Sequence, residues 1–197
     1  MLHYDPASGA LLRNGKVNGS ETAALAAAKL VDLVDAAAAR IEPVKGGETV
    51  VATESPSANP VLDEARMLLL AQRKPRGITW CLSNLGATPA VVERLAGLGL
   101  LVDERKPAAP LTAPGLEELG RLRAVLDPLI VDGAQAGSSS LATLLDAGKL
   151  WRNVYPGRDQ AEQAVIAERF AAVSAATRSG GDRDLVLHRL RSESRAA

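Results

Sequence analysis

Thiols, imidazoles and aromatic rings are all scarce in this chain, and each shortage closes off a class of function. The single Cys81 in 197 residues excludes an internal disulfide and a zinc cluster built on thiolates, and it suits a reducing compartment. The only histidines are His3 and His188. Neither has a histidine or carboxylate three or four residues further on, so no helical metal site is expected. Net charge is also missing: 23 Lys and Arg balance 23 Asp and Glu, and no global field draws the chain to nucleic acid or acidic lipid. Any anionic partner has to be met by a local patch. No segment reaches the ~18 apolar residues of a membrane span. The start, "MLHYDPASGALL", lacks a basic and then apolar leader. The expectation is a soluble cytoplasmic protein. A phosphate-cradling glycine loop is absent too, since "GALLRNGK" (9–16) has no strand-to-helix setting. There is no internal repeat.

What is present points to a helical globule. Hydrophobic residues make up 47% and charged residues 23%, the balance of a chain that buries a core. Ser20 is positioned to cap a helix running to about Arg40, with Leu30, Leu33, Val34, Ala37 and Ile41 as its apolar stripe. Pro43 and Gly46-Gly47 should stop it, and "ETVVAT" (48–53) reads as one β segment. Asn59 and Pro60 then open a helix whose apolar residues cover most of its girth, which places it in the core. A short helix at "ITWCLSNL" and another started by Thr88-Pro89 precede two extended runs at 100–104 and 109–112, which suggest a hairpin. Together these make a winged-helix-like segment. Leucines at helical spacing mark 114–131, where Pro128 should kink the last turn. A serine-capped helix follows Ser138 to Ser140, and a long one covers about 159–177. The expected fold is mainly α, a single compact helical domain over 1–178 with a small β-hairpin. A charged tail, 179–197, is then either a short docked helix or a frayed end.

Candidate chemistry is thin. Asp63 and Glu64 are adjacent, so on a helix they diverge by about 100° and cannot share a substrate atom. In the first helical turn they offset the N–H dipoles, and Asp63 can pair with Arg66. Cys81 beside Trp80 in an apolar helix reads as a buried, inert thiol. A DNA-binding wing would need a basic recognition helix, but 89–98 offers only Arg94, balanced by Glu93. Nucleic acid is therefore the minor alternative, and an enzyme of unrecognised type the other. No catalytic residue, metal or cofactor is assigned.

Several stretches in order carry a resemblance: "DPASGALL" (5–12), "AAAARIE" (36–42), "ESPSANPVLDEARMLLLAQRKPRG" (54–77), "VVERLAGLGLLVDERK" (91–106) and "LRAVLD" (122–127). Over about residues 5–170 the chain resembles the Golgi phosphoprotein family, in particular its actinobacterial members. That resemblance implies a mainly helical, non-enzymatic adaptor around a central buried helix. It implies a basic face for phosphatidylinositol-4-phosphate and a bilayer-touching hairpin, here at 100–112. The family's pocket tryptophan and arginines fall on Asn18 or Gly19, Ala28, Leu85 and Thr88, so the arginine cluster is not matched. Arg13, Lys16 and Lys29 are the cations left as headgroup candidates, with Arg105 and Lys106 at the hairpin tip. The partner is then an anionic lipid headgroup or a protein, met by a cytoplasmic protein or one peripheral at the inner membrane face. The sequence sets no oligomeric state.

Overall fold

A computed structural model describes residues 4, 7–10, 19–87, 89–103, 109–132, 139–177 and 180–196. Of the residues singled out above, His3, Arg13, Lys16, Asn18, Thr88, Arg105 and Lys106 lie outside them. The chain gathers into two compact units, Asn18–Ala90 with Arg178–Ala197, and Met1–Val17 with Val91–Thr177. The described residues are mostly helical with one small antiparallel sheet, as the mainly α expectation required.

The unit containing residues 18–90 is organised around helix α1, Gly19–Asp35. Ala26, Ala27, Leu30 and Leu33 are fully buried on it. The helix stops well short of Arg40, which corrects the sequence reading. Ala37 takes a left-handed φ of 53°. From there Ala38 N–H reaches back to Leu33 O (2.8 Å) and Ala37 N–H to Val34 O (3.0 Å). This closes the helix with the paired bonds that normally call for glycine. An alanine run hid the stop.

The chain then turns into strand β1, Ala39–Val44, which pairs with β2, Gly47–Ala52, in the register Ala39↔Ala52 to Val44↔Gly47. Lys45 and Gly46 make the turn, with Gly46 at φ 95°. Burial alternates over Ala39, Arg40 and Ile41, the period of a strand. Residues 39–52 thus form a hairpin that the sequence reading does not contain. At 100–112, where the sequence suggests a hairpin, the described residues pair through the antiparallel bridge Leu101↔Leu111, flanked by Val102 N–H to Pro110 O (3.0 Å) and Thr112 N–H to Leu100 O (3.1 Å).

Helix α2, Pro60–Leu70, begins as its sequence dictates: the Asn59 side chain accepts from Val61 N–H (3.1 Å) and Pro60 takes the first turn. Its inner face is Leu62, Ala65, Arg66 and Leu69. It is not the buried helix expected from its composition, because Met67, Leu68 and Leu70 remain exposed. Arg66, 4% exposed, is held by Asp63 (2.8 Å) and by the carbonyls of Thr53 (3.0 Å) and Glu54 (3.1 Å). It fastens the chain leaving β2 onto α2. Helix α3, Ile78–Asn84, buries Ile78, Cys81 and Leu82. The charged C-terminal segment forms helix α9, Asp182–Ala196, which packs on α1. Val186 and Leu190 are fully buried there, and Asp182 accepts from Ile41 N–H (2.9 Å).

The other unit holds most of α4 (Pro89–Gly97), then α5 (Ala113–Ile130), α6 (Ser140–Ala147), α7 (Trp151–Val154) and α8 (Gln160–Ala176). The Ser139 side chain caps α6, and Asp159 with Glu162 forms a reciprocal capping box on α8. Pro128 lies inside α5. Phe170, Leu126, Ile130 and Val154 are fully buried. Tyr155 donates to Asp127 (2.7 Å) beneath the Arg123 guanidinium, which lies 5.0 Å from the ring and donates to Val154 O (2.6 Å). These polar groups serve the packing of α5 against α7. Lys149 at φ 53° ends α6 as Ala37 ends α1.

Two outcomes follow for stability. Ala37→Gly and Lys149→Gly should each raise the chemical-denaturation free energy by roughly 1 kcal/mol, since both sites are exposed and glycine removes the left-handed penalty. Arg66→Met should lower it by about 2–3 kcal/mol at unchanged m, leaving two carbonyls and a carboxylate without their donor. The Arg66 hydrogen bond, helped by Ser57 N–H, holds the Asp63 carboxyl below the usual aspartate range. Its stabilisation is therefore complete above the unfolded pKa of ~3.9 and lost as pH falls through the lower folded value. Acid titrations of wild type and Asp63→Asn should diverge in that window, the variant showing the shallower loss.

Candidate functional site

Lys29 sits in the buried stripe of α1, one residue before Leu30, and is itself only 4% exposed. An ammonium in such a place needs a hydrogen-bond acceptor. The acceptor comes from the chain leaving α3. Leu85 closes that helix by donating to Cys81 O (2.9 Å), and Gly86 then passes hard against α1. A Cβ on Gly86 would overlap the carbonyl oxygen of Thr22, so only glycine allows this approach. The approach presents Ala87 O to Lys29 Nζ at 2.9 Å.

Helix α2 supplies the other wall. Lys29, Glu64, Ala65, Leu68, Asn84, Leu85 and Ala87 line a pocket of about 180 Å³. Burial pushes the Lys29 ammonium below the ordinary lysine range, and the Glu64 charge opposes that shift. The Asn84 amide already donates to Trp80 O (2.8 Å), which fixes its orientation. The pocket thus offers one cation, one carboxylate and one amide on an apolar lining. The ammonium carries three N–H bonds, and among the described residues only Ala87 O accepts one. The remaining two can meet an oxygen-bearing ligand.

Of the sequence candidates, the structure places Lys29 in this pocket; Arg13, Lys16, Arg105 and Lys106 are outside the described residues. Leu85, one of the positions that the resemblance assigns to an arginine, lines the same pocket. In the sequence Glu64 reads only as a dipole-offsetting acid, and Leu68 belongs to a helix whose apolar girth places it in the core. Nothing in the local pattern joins residues 29, 64 and 85, because three separate elements carry them.

The other reactive groups are spoken for. Burial pushes the Cys81 thiol up to about 12, so no thiolate nucleophile is available near neutral pH. Burial and the Asp127 hydrogen bond likewise raise Tyr155. His188 is exposed on α9. Among the described residues no three His, Cys, Asp or Glu side chains come together as a metal site. No described helix is long and apolar enough to cross a membrane.

Lysine NMR should show the Lys29 ammonium titrating below the ordinary ~10.4. Glu64→Gln should lower its midpoint further, because it removes the charge that favours the protonated form.

The comparisons with known proteins bear on the same segments. No curated protein matches the chain. A family model described as Golgi phosphoprotein 3 (GPP34) matches residues 1–188, a span that includes α1, α2, α3 and the whole pocket. The chain belongs to the Golgi phosphoprotein 3 (GPP34) family.

Proposed function

We propose that this chain is a non-enzymatic peripheral adaptor that takes an anionic lipid headgroup into the Lys29 pocket. The observation that carries the reading is a buried ammonium on a pocket wall with two N–H bonds left for a ligand. Family membership supports a binding protein over a catalyst. The local chemistry agrees, since Lys29 donates to Ala87 O and Glu64 favours its charged form; the pair acts as fixed charges, not as a proton shuttle.

Charge count selects the ligand class. Inositol phosphomonoesters carry close to two charges per phosphate and are held by several arginines. Here a single lysine faces a single carboxylate. A phosphodiester carries one negative charge, which Lys29 can match, and Glu64 can accept from headgroup hydroxyls. A glycerol-type headgroup meets both requirements.

Isothermal titration with glycerophosphoglycerol, the deacylated headgroup of phosphatidylglycerol, tests this. Binding is expected in wild type and should weaken at least about tenfold in Lys29→Met, the loss of one charge-assisted bond. Circular dichroism would confirm that the variant is folded. Equal binding by both proteins, or none by wild type, would remove the pocket from the mechanism. Tighter binding of the deacylated phosphatidylinositol-4-phosphate headgroup would overturn the charge argument alone.

A further inference from the structure

We infer that the solvent-facing end of α2 and the basic loop behind it form a docking surface for an anionic bilayer. The helix buries Leu62, Ala65 and Leu69, yet its opposite side ends in apolar residues: Met67, Leu68 and Leu70 are 53%, 41% and 39% exposed. Three large apolar side chains at one helix end thus stay about half open to water. The residues that follow supply charge of one sign. Arg73, Lys74 and Arg76 are exposed, and no acidic residue occurs between Glu64 and Glu93.

The loop is held in place. Val50 N–H donates to Arg76 O (2.8 Å), tying it to β2. The Arg76 guanidinium bonds Gln72 Oε1 (3.1 and 3.2 Å) and lies 5.3 Å from the centre of the half-buried Trp80 ring. Arg73 and Lys74 make no ion pair among the described residues. Long apolar side chains beside unpaired cations and an indole are the composition of an interfacial membrane contact. Large apolar side chains flanked by cations without a carboxylate partner fit a surface that is apolar within and anionic at its rim, which a bilayer offers and an acidic peptide does not. Leu68 also lines the Lys29 pocket, so docking this face would bring headgroups to the pocket mouth. For that orientation the inference rests on the headgroup reading above.

Flotation with phosphatidylcholine vesicles, with and without phosphatidylglycerol, tests it. Wild type should float only with the anionic vesicles and detach as salt rises. Arg73→Gln with Lys74→Gln should lower the partition coefficient about 30-fold, the equivalent of ~1 kcal/mol per cation. Met67→Ser with Leu70→Ser should lower it at least about tenfold. Both double variants should bind glycerophosphoglycerol as wild type does. Equal flotation on both vesicle types, absence of flotation, or unchanged flotation of the variants would overturn the docking surface. A second readout is an environment-sensitive dye on Met67→Cys, with the buried Cys81 left unmodified. Its emission should shift to the blue on anionic vesicles, and an unchanged spectrum would count against the inference. Loss of headgroup binding with flotation intact would strike the pocket and spare this face; the reverse result would do the opposite.

Discussion

Helix α1 has to be enclosed on nearly every side, and in the unit it organises the other elements are arranged to satisfy that demand. Ala26 and Ala27 leave no side-chain bulk to hold neighbours away, so α2, α3, α9 and β1 all pack against the same seventeen-residue helix. The enclosure has one chemical consequence. It carries the Lys29 ammonium out of bulk water, where an unsatisfied charge costs several kcal/mol. The backbone after α3 answers by bringing Ala87 O within 2.9 Å. A glycine at position 86 is what lets that backbone come close enough. The pocket is the space left where α2 and this segment lean on α1 without meeting.

Charge in the pocket is sparse, and the sparseness shapes what it can do. A site built from an arginine cluster grips a doubly charged phosphate by bidentate bonds. One desolvated lysine across from one glutamate supports a weaker and more selective contact, in which a single negative charge is matched and hydroxyls find an acceptor. The proposed headgroup contact would need help from a larger surface to hold the chain on a membrane. In the proposed docking, the exposed end of α2 and the cations after it supply that surface, and Leu68 is common to both.

Much of the site was invisible along the chain. Lys29 stood out as a cation, but its burial was set by helices that arrive thirty to one hundred and sixty residues later. Glu64 looked like any acid in a first helical turn, and that reading of Asp63 is correct, since Asp63 serves Arg66. Leu68 looked like core because periodicity reports how apolar a position is, not whether a neighbour comes to cover it. Leu85 and Ala87 have no functional group of their own to attract notice.

Local chemistry is what the sequence determined by itself. Asn59-Pro60 before α2, Ser139 before α6, and Asp159 with Glu162 before α8 each satisfy backbone donors within three residues, so the pattern and the outcome coincide. The helical class and the family-bearing stretches were likewise legible. Tertiary structure decided the rest. It ended α1 at Asp35 by forcing Ala37 into a left-handed turn, added a hairpin at 39–52, and turned the charged tail into a helix packed on α1. These choices hinge on what each segment packs against. An alanine run is compatible with helix, turn or strand, and only the neighbours that bury Ala39 and Ile41 select among them.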